Sequence, residues 1–215
     1  MKQSCSAPVF ERACVQCPRL AAFLATVRAK HPEYYAHPVP VFGDPEASLL
    51  IVGLAPGMHG ANRTGRPFTG DFAGVLLYET LFKFGYANMV GTAEADDGLS
   101  LINCRISNAV KCLPPENKPA PDEIKRCNQY LAAELAQQPP RVILALGRIA
   151  HDAVLMGMGL KLSAFRFGHH ARHNLPQGIH LIDSYHCSRY NTQTKRLTAA
   201  MFEAVFADIA DLLNA

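Results

Sequence analysis

The sequence predicts an α/β protein, a three-layer α/β/α sandwich with a central four-stranded parallel sheet. Two observations carry this. Four short apolar runs, residues 48–54, 101–110, 141–146 and 178–185, alternate with segments of helical periodicity. Strands separated by helices need crossover connections, and these build a parallel sheet covered on both faces. The second observation is where the first run stops. At Gly53 it breaks into glycines, prolines and polar residues before the next helix, which is where open α/β sheets place their ligands.

In chain order, a Cys-x-x-Cys pair at Cys14 and Cys17 precedes a helix over residues 18–29. A proline-punctuated segment leads to the first strand, residues 48–54. A helix over 72–84 and a surface loop over 91–99 follow, then the second strand. Residues 113–121 hold four prolines and read as a loop. Helices over 122–137 and 148–156 flank the third strand. The fourth strand leads to a last helix over 194–213, where Leu197, Met201, Val205, Ile209 and Leu212 recur every three or four residues as one apolar stripe.

At 215 residues the chain fits a single domain, 1–215. Its 49% hydrophobic residues suffice for a core, and a net charge of +3 permits a nucleic-acid partner without demanding one. No apolar run approaches a membrane span. The start, Met1 to Cys5, has no apolar signal region, so the expected location is cytoplasmic. There the seven cysteines, an odd number, do not read as a disulfide framework. Cys14 and Cys17 place two sulfurs on one metal, and Cys112 and Cys127 are positioned to supply two more. Four sulfurs suit zinc or an iron–sulfur cluster; the alternative is that Cys112 and Cys127 are small core residues. Cys5, Cys104 and Cys187 are left over, with Cys104 inside a strand.

The segment after the first strand offers Phe68 as a stacking face and Asp71 as a carboxylate. Together they suit a flat, polar, uncharged object such as a nucleobase. Asp71 also precedes Phe72 to Leu77 as a helix N-cap would. His186 leaves the fourth strand at the same end of the sheet as Ala55 and Asp71. It is placed to donate a hydrogen bond to an oxygen that gains negative charge, or simply to be satisfied by backbone. Arg189 and Tyr190 beyond it suit a groove or a phosphate. Lys161, Phe165, Arg166, Phe167, His169, His170, Arg172 and His173 form a basic and aromatic cluster; three histidines in five residues also suggest a metal, but no carboxylate stands beside them in sequence. They read as a phosphate-facing surface or a solvated loop, with Asn62, Arg63, Arg66, Lys111 and Lys195 extending it.

Three segments carry a resemblance. They are Gly53-Leu54-Ala55-Pro56-Gly57 with residues 59–66 and 68–71, then Ser107-Asn108-Ala109-Val110-Lys111-Cys112, then residues 186–194. Together with Cys14, Cys17, Cys112 and Cys127 they resemble the uracil-DNA glycosylase superfamily, most closely its family 5. The resemblance implies excision of uracil, and of other deaminated bases such as hypoxanthine, from damaged DNA after the base is flipped out of the stack. It implies a 4Fe-4S cluster on those four cysteines, favouring iron over zinc. It makes Asn108 the reader of the base's polar edge, Phe68 a stacking partner, and the backbone at Ala55 and Gly57 further substrate contacts. His186 would hydrogen-bond the departing O2.

Ala55 stands where better-known relatives carry a polar residue, so the work of balancing a sugar cation and orienting water moves to Asp71. Cys187 and Arg189 occupy positions where relatives can carry proline, leaving Arg189 and Tyr190 to fill the gap in the duplex. The expected partner is DNA alone, with a monomeric chain, no membrane and no obligate protein partner. Two rivals are a non-catalytic damaged-DNA-binding protein on the same scaffold and a small-molecule enzyme whose loop over 53–60 cradles phosphate. That loop fits neither the dinucleotide fingerprint nor the P-loop.

Overall fold

The computed structural model of the chain describes residues 10–91 and 93–214; Cys5 and the first residues lie outside the described part. The four apolar runs form strands β2 (Leu49–Gly53), β3 (Cys104–Asn108), β4 (Val142–Leu146) and β6 (His180–Ser184). They pair in parallel in the order β3-β2-β4-β6. The sheet has six strands rather than four, because β1 (Phe42–Gly43) and β5 (Arg172–Asn174) add antiparallel edges to β3 and β6. Two- and three-residue edges have no alternation of their own to read; they form because a neighbour offers a free ladder.

Side chains alternate across the sheet. Leu49, Ile51, Ile106, Leu144 and Ile182 face one core together with Leu77 and Leu81 of α3 (Phe72–Lys83) and Phe202, Val205 and Ile209 of α7 (Ala199–Asn214). Leu50, Val52, Ile143, Ala145 and Leu181 face the other. That core is closed by Leu131 and Leu135 of α4 (Pro121–Gln137) and Ala150 and Val154 of α5 (Arg148–Gly157). This is the expected three-layer sandwich. A third cluster joins α1 (Pro18–Lys30), through Leu20, Leu24 and Val27, to Val110, Cys112, Leu113 and Cys127. Among the described residues no helix is long and apolar enough to cross a membrane.

Helix ends match the sequence within a residue or two, with one exception. The last helix begins at Ala199, and a separate short helix, α6 (Arg189–Gln193), precedes it. Lys195 takes a left-handed conformation (φ 58°) between them, and the Thr198 hydroxyl accepts the Met201 amide to start the new helix. A four-residue turn, α2 (Ala61–Thr64), sits between β2 and α3.

From β2 the chain crosses to β3 on one side and later returns past β2 to β4 on the other. The connections leaving the carboxyl ends of β2 and β4 therefore run in opposite directions, which opens a crevice at that edge of the sheet.

Candidate active site

The crevice holds about 740 Å³, within the range of small-molecule sites. Every parallel strand contributes to its wall: Leu54, Ala55 and Gly57 after β2, Asn108 at the end of β3, Leu146 and Gly147 at the end of β4, and His186 and Arg189 after β6. Phe68, Asp71 and Phe72 complete it. Ala55, Gly57, Phe68, Asp71, Asn108, His186 and Arg189, drawn from distant parts of the chain, thus meet in one place. Tyr190 stands outside the lining, 70% exposed on α6, while Arg189 lies over the Phe72 ring at 5.1 Å.

Asp71 caps α3: its Oδ1 accepts the Gly74 amide at 3.0 Å. Its other oxygen, Oδ2, lies against the Gly57–Gly60 turn, so close that a methyl on Gly60 would sit 2.5 Å from it. Both roles read from the sequence are therefore geometrically compatible. Burial pushes the Asp71 carboxyl above its ordinary value, against the opposing pull of the Gly74 and Ala73 amides. His186 is more strongly affected. Burial alone pushes its pKa down to about 4, so the ring is neutral at physiological pH.

Phe68 and His186 stack with centroids 5.9 Å apart and planes at 28°. Two van der Waals layers need about 7–8 Å, so no base fits between them; the two rings form one wall. Phe68 holds a positive φ of 54°, costly for a bulky residue. Its neighbours impose it. The Tyr78 hydroxyl donates to Pro67 O at 2.6 Å, and Arg66 binds Thr69 Oγ1 at 2.7 Å. Arg66 also pairs with Asp97 through both carboxylate oxygens.

Asn108 is 3% exposed, and its Oδ1 has no hydrogen-bond partner. Gly53 makes room for it, since a methyl there would lie 2.5 Å from Oδ1 and 2.7 Å from the Phe68 ring. A buried acceptor left unpaired costs about 1–3 kcal/mol. It is poised for a donor that arrives in the crevice.

Cys14, Cys17, Cys112 and Cys127 line a second, smaller cleft beneath α1. Cys17 is the residue before α1, and Cys127 lies in α4. The Lys111 amide donates to Cys127 Sγ at 3.3 Å and the Tyr130 hydroxyl to Cys14 Sγ at 3.3 Å. Four cysteines gathered in one cleft, with N–H and O–H donors aimed at sulfur, fit an iron–sulfur group. Burial and the mutual repulsion of the thiolates raise the Cys112 pKa strongly, a penalty that bound iron removes.

Much of the expected basic surface is paired with carboxylates or buried. His170 and Arg172 both pair with Asp208 of α7, and His173 faces Asp183 of β6 at 3.4 Å. Carboxylates do stand beside them, brought in from other elements. Arg66 is buried against Asp97, Arg63 pairs with Glu94, and Asn62 is fully buried. Lys111 is buried too, bonded to Ser107 Oγ near Glu134. Asn62, Arg66 and Lys111 are committed to the fold, while Lys161, Arg166, Arg172 and Lys195 remain exposed. Conversely, the crevice includes His59, Asn117, Gly147 and Arg148, to which the sequence reading gave no separate role. The signal for the last two was available: Gly147 (φ 97°) and Arg148 follow a parallel strand and open a helix, as the first crevice segment does.

Residues 40–210 match the family model of the uracil DNA glycosylase superfamily. The chain is 50% identical over 202 residues to a type-5 uracil-DNA glycosylase of Thermus thermophilus, covering 91% of this chain and 92% of that protein. It is 40% identical over 189 residues to a type-5 uracil-DNA glycosylase of Pyrobaculum aerophilum, covering 86% and 82%. A type-4 uracil-DNA glycosylase of Archaeoglobus fulgidus is 38% identical over 113 residues, 52% of this chain and 49% of that one.

Proposed function

The chain belongs to the uracil-DNA glycosylase superfamily, and from that premise we propose that it repairs DNA by flipping a uracil into the crevice and hydrolysing its N-glycosidic bond. The products are free base and an abasic site. One observation carries the assignment of roles: Asn108, Asp71 and His186, from three separate segments, meet in one crevice, with the Asn108 oxygen buried and unpaired.

The C1′–N1 bond breaks with its electron pair moving to the base, while positive charge grows on the sugar. Neutral His186 donates to the base oxygen that becomes negative, and does so without first releasing a proton. Asn108 Oδ1 accepts the N3–H of uracil, so a base lacking that donor leaves it unpaired. The Asp71 Oδ2 balances the sugar cation and orients the water whose oxygen adds to C1′. That water keeps one proton in the new C1′ hydroxyl and passes the other toward Asp71, whose raised pKa suits it to receive one, while the base departs as its anion and takes up a proton from solvent. Ala55 leaves the crevice wall beside it without a side-chain polar group, so no second acid competes for that task. Hypoxanthine presents a comparable N–H and C=O edge, and the crevice volume admits a purine.

Cys14, Cys17, Cys112 and Cys127 would hold a 4Fe-4S cluster, which would tie the start of α1 to α4 and to the segment after β3; hydrolysis asks no electron of it.

The test is a set of duplexes with a single uracil, hypoxanthine or cytosine at one position, each incubated with the protein and cut at abasic sites. Cutting at uracil is expected, with hypoxanthine cut more slowly and cytosine, which has no N3–H, spared. Tight binding to uracil duplex with no abasic site formed would instead identify a non-catalytic damage-binding protein.

A further inference from the structure

The proline-rich connection between Cys112 and Cys127 reaches the crevice: Asn117 is part of its lining, on the same mouth as His59 and Arg148. Two consecutive residues there, Glu116 (φ 54°) and Asn117 (φ 56°), hold left-handed conformations. Such strain persists only where the surroundings impose it, and here they do. Leu113 and Pro114 are buried at the loop's base, with Leu113 in the cluster that contains Cys112 and Cys127. The Asn117 and Lys118 amides donate back to Pro114 O and Pro115 O at 3.1 and 3.0 Å. Arg19 of α1 grips the far side. Its Nε and Nη2 bind both oxygens of buried Glu123 at 2.8 and 2.6 Å, and Nη2 also reaches Lys118 O at 3.2 Å. Glu123 in turn accepts the Ala120 amide at 2.7 Å. With its carbonyl held inward, Lys118 projects its side chain into solvent, where it meets Glu116 at 3.3 Å, both about 80% exposed.

Resting on the DNA-repair reading, we propose that residues 114–121 form a preset backbone clamp at the crevice mouth, in which Asn117 and Lys118 bind a phosphodiester flanking the extruded nucleotide. A nucleotide whose base enters the crevice leaves its own phosphates at the rim, and Asn117 is at that rim. The exposed Glu116–Lys118 pair is worth little in water, so a phosphate readily replaces the carboxylate. A loop whose shape four prolines and Arg19 already fix loses little freedom when it binds.

The experiment measures binding of a duplex with a stable abasic-site analogue by fluorescence anisotropy across a salt series. Lys118→Ala is expected to raise Kd about 3–10-fold and to lower the log–log salt slope by about one. Lys118→Arg should keep both. Glu116→Gln, which removes the competing carboxylate, should lower Kd about 2-fold. Wild-type binding with an unchanged slope in Lys118→Ala overturns the clamp and leaves the functional reading intact. A wild-type chain that binds no abasic duplex overturns both.

Discussion

Asp71 and Gly74 are joined by a 3.0 Å hydrogen bond from the glycine amide to Oδ1, which leaves Oδ2 against the Gly57–Gly60 turn. One oxygen starts a helix, and the other faces the crevice turn. The substitution that separates the two duties is Asp71→Asn, because asparagine caps as well as aspartate. It should fold normally while its single-turnover excision of uracil drops about 10²-fold or more. A rate equal to wild type would leave Asp71 as a cap and nothing else.

Burial gives the same residue a pH signature. Its folded pKa lies above the unfolded one, so the stabilising preference for the acid form is complete below the unfolded pKa. That preference is lost as pH rises through the folded value. The ionised carboxylate is therefore a strain on the fold at neutral pH. Asp71→Asn should melt higher than wild type near pH 8, with the gap closing toward pH 4. Excision, which needs the carboxylate, should fail on the acid side before an ordinary aspartate would titrate. His186, held near 4, adds no second limb above about pH 5. Rate–pH profiles of wild type and Asp71→Asn check this: the acid limb should vanish in the variant.

His186→Ala should slow the chemical step about 10²–10³-fold while keeping affinity for abasic duplex within a few-fold. The measurement is rapid-quench excision alongside equilibrium binding. An unchanged chemical step removes the ring from the mechanism.

Three glycines divide into site and scaffold. Gly60→Ala presses on Asp71 Oδ2, and Gly53→Ala on Asn108 Oδ1 and Phe68. Both should lose activity well beyond any loss of melting temperature. A methyl on Gly74 collides with the Phe68 carbonyl, which is backbone and cannot step aside. Gly74→Ala should cost about 3 kcal/mol or more of stability by denaturant melt.

Cys112→Ser should abolish the brown colour and broad visible absorbance expected of fresh protein, and bring iron below one atom per chain. A colourless wild type with one zinc would refute the cluster.

The parallel strands β2 and β4 were legible because they are continuous apolar runs, the mark of strands buried on both faces; β3, Cys104 to Asn108, is buried along its length but carries Arg105, Ser107 and Asn108 and is continuously apolar only at its flanks. The crevice was legible for a related reason, since Gly53, Phe68 and Asp71 follow a strand end directly. The charged residues were not. Arg66 reads as a surface cation until Asp97 is seen against it, and Lys111 until Ser107 and Glu134 are. The partners of His170, Arg172 and His173 come from β6 and α7, and no local pattern announces a contact across that much chain.

The placement of the four cysteines has a consequence for biogenesis. Two precede the first helix and two come from the middle of the chain, so a metal group bound between them acts as a cross-link closing a long ring of polypeptide. Closing such a ring removes freedom chiefly from the unfolded ensemble. If the proposed cluster is that group, a newly made chain that has not received it should unfold more readily and be more open to proteases, and supply of the metal would influence how much mature protein accumulates.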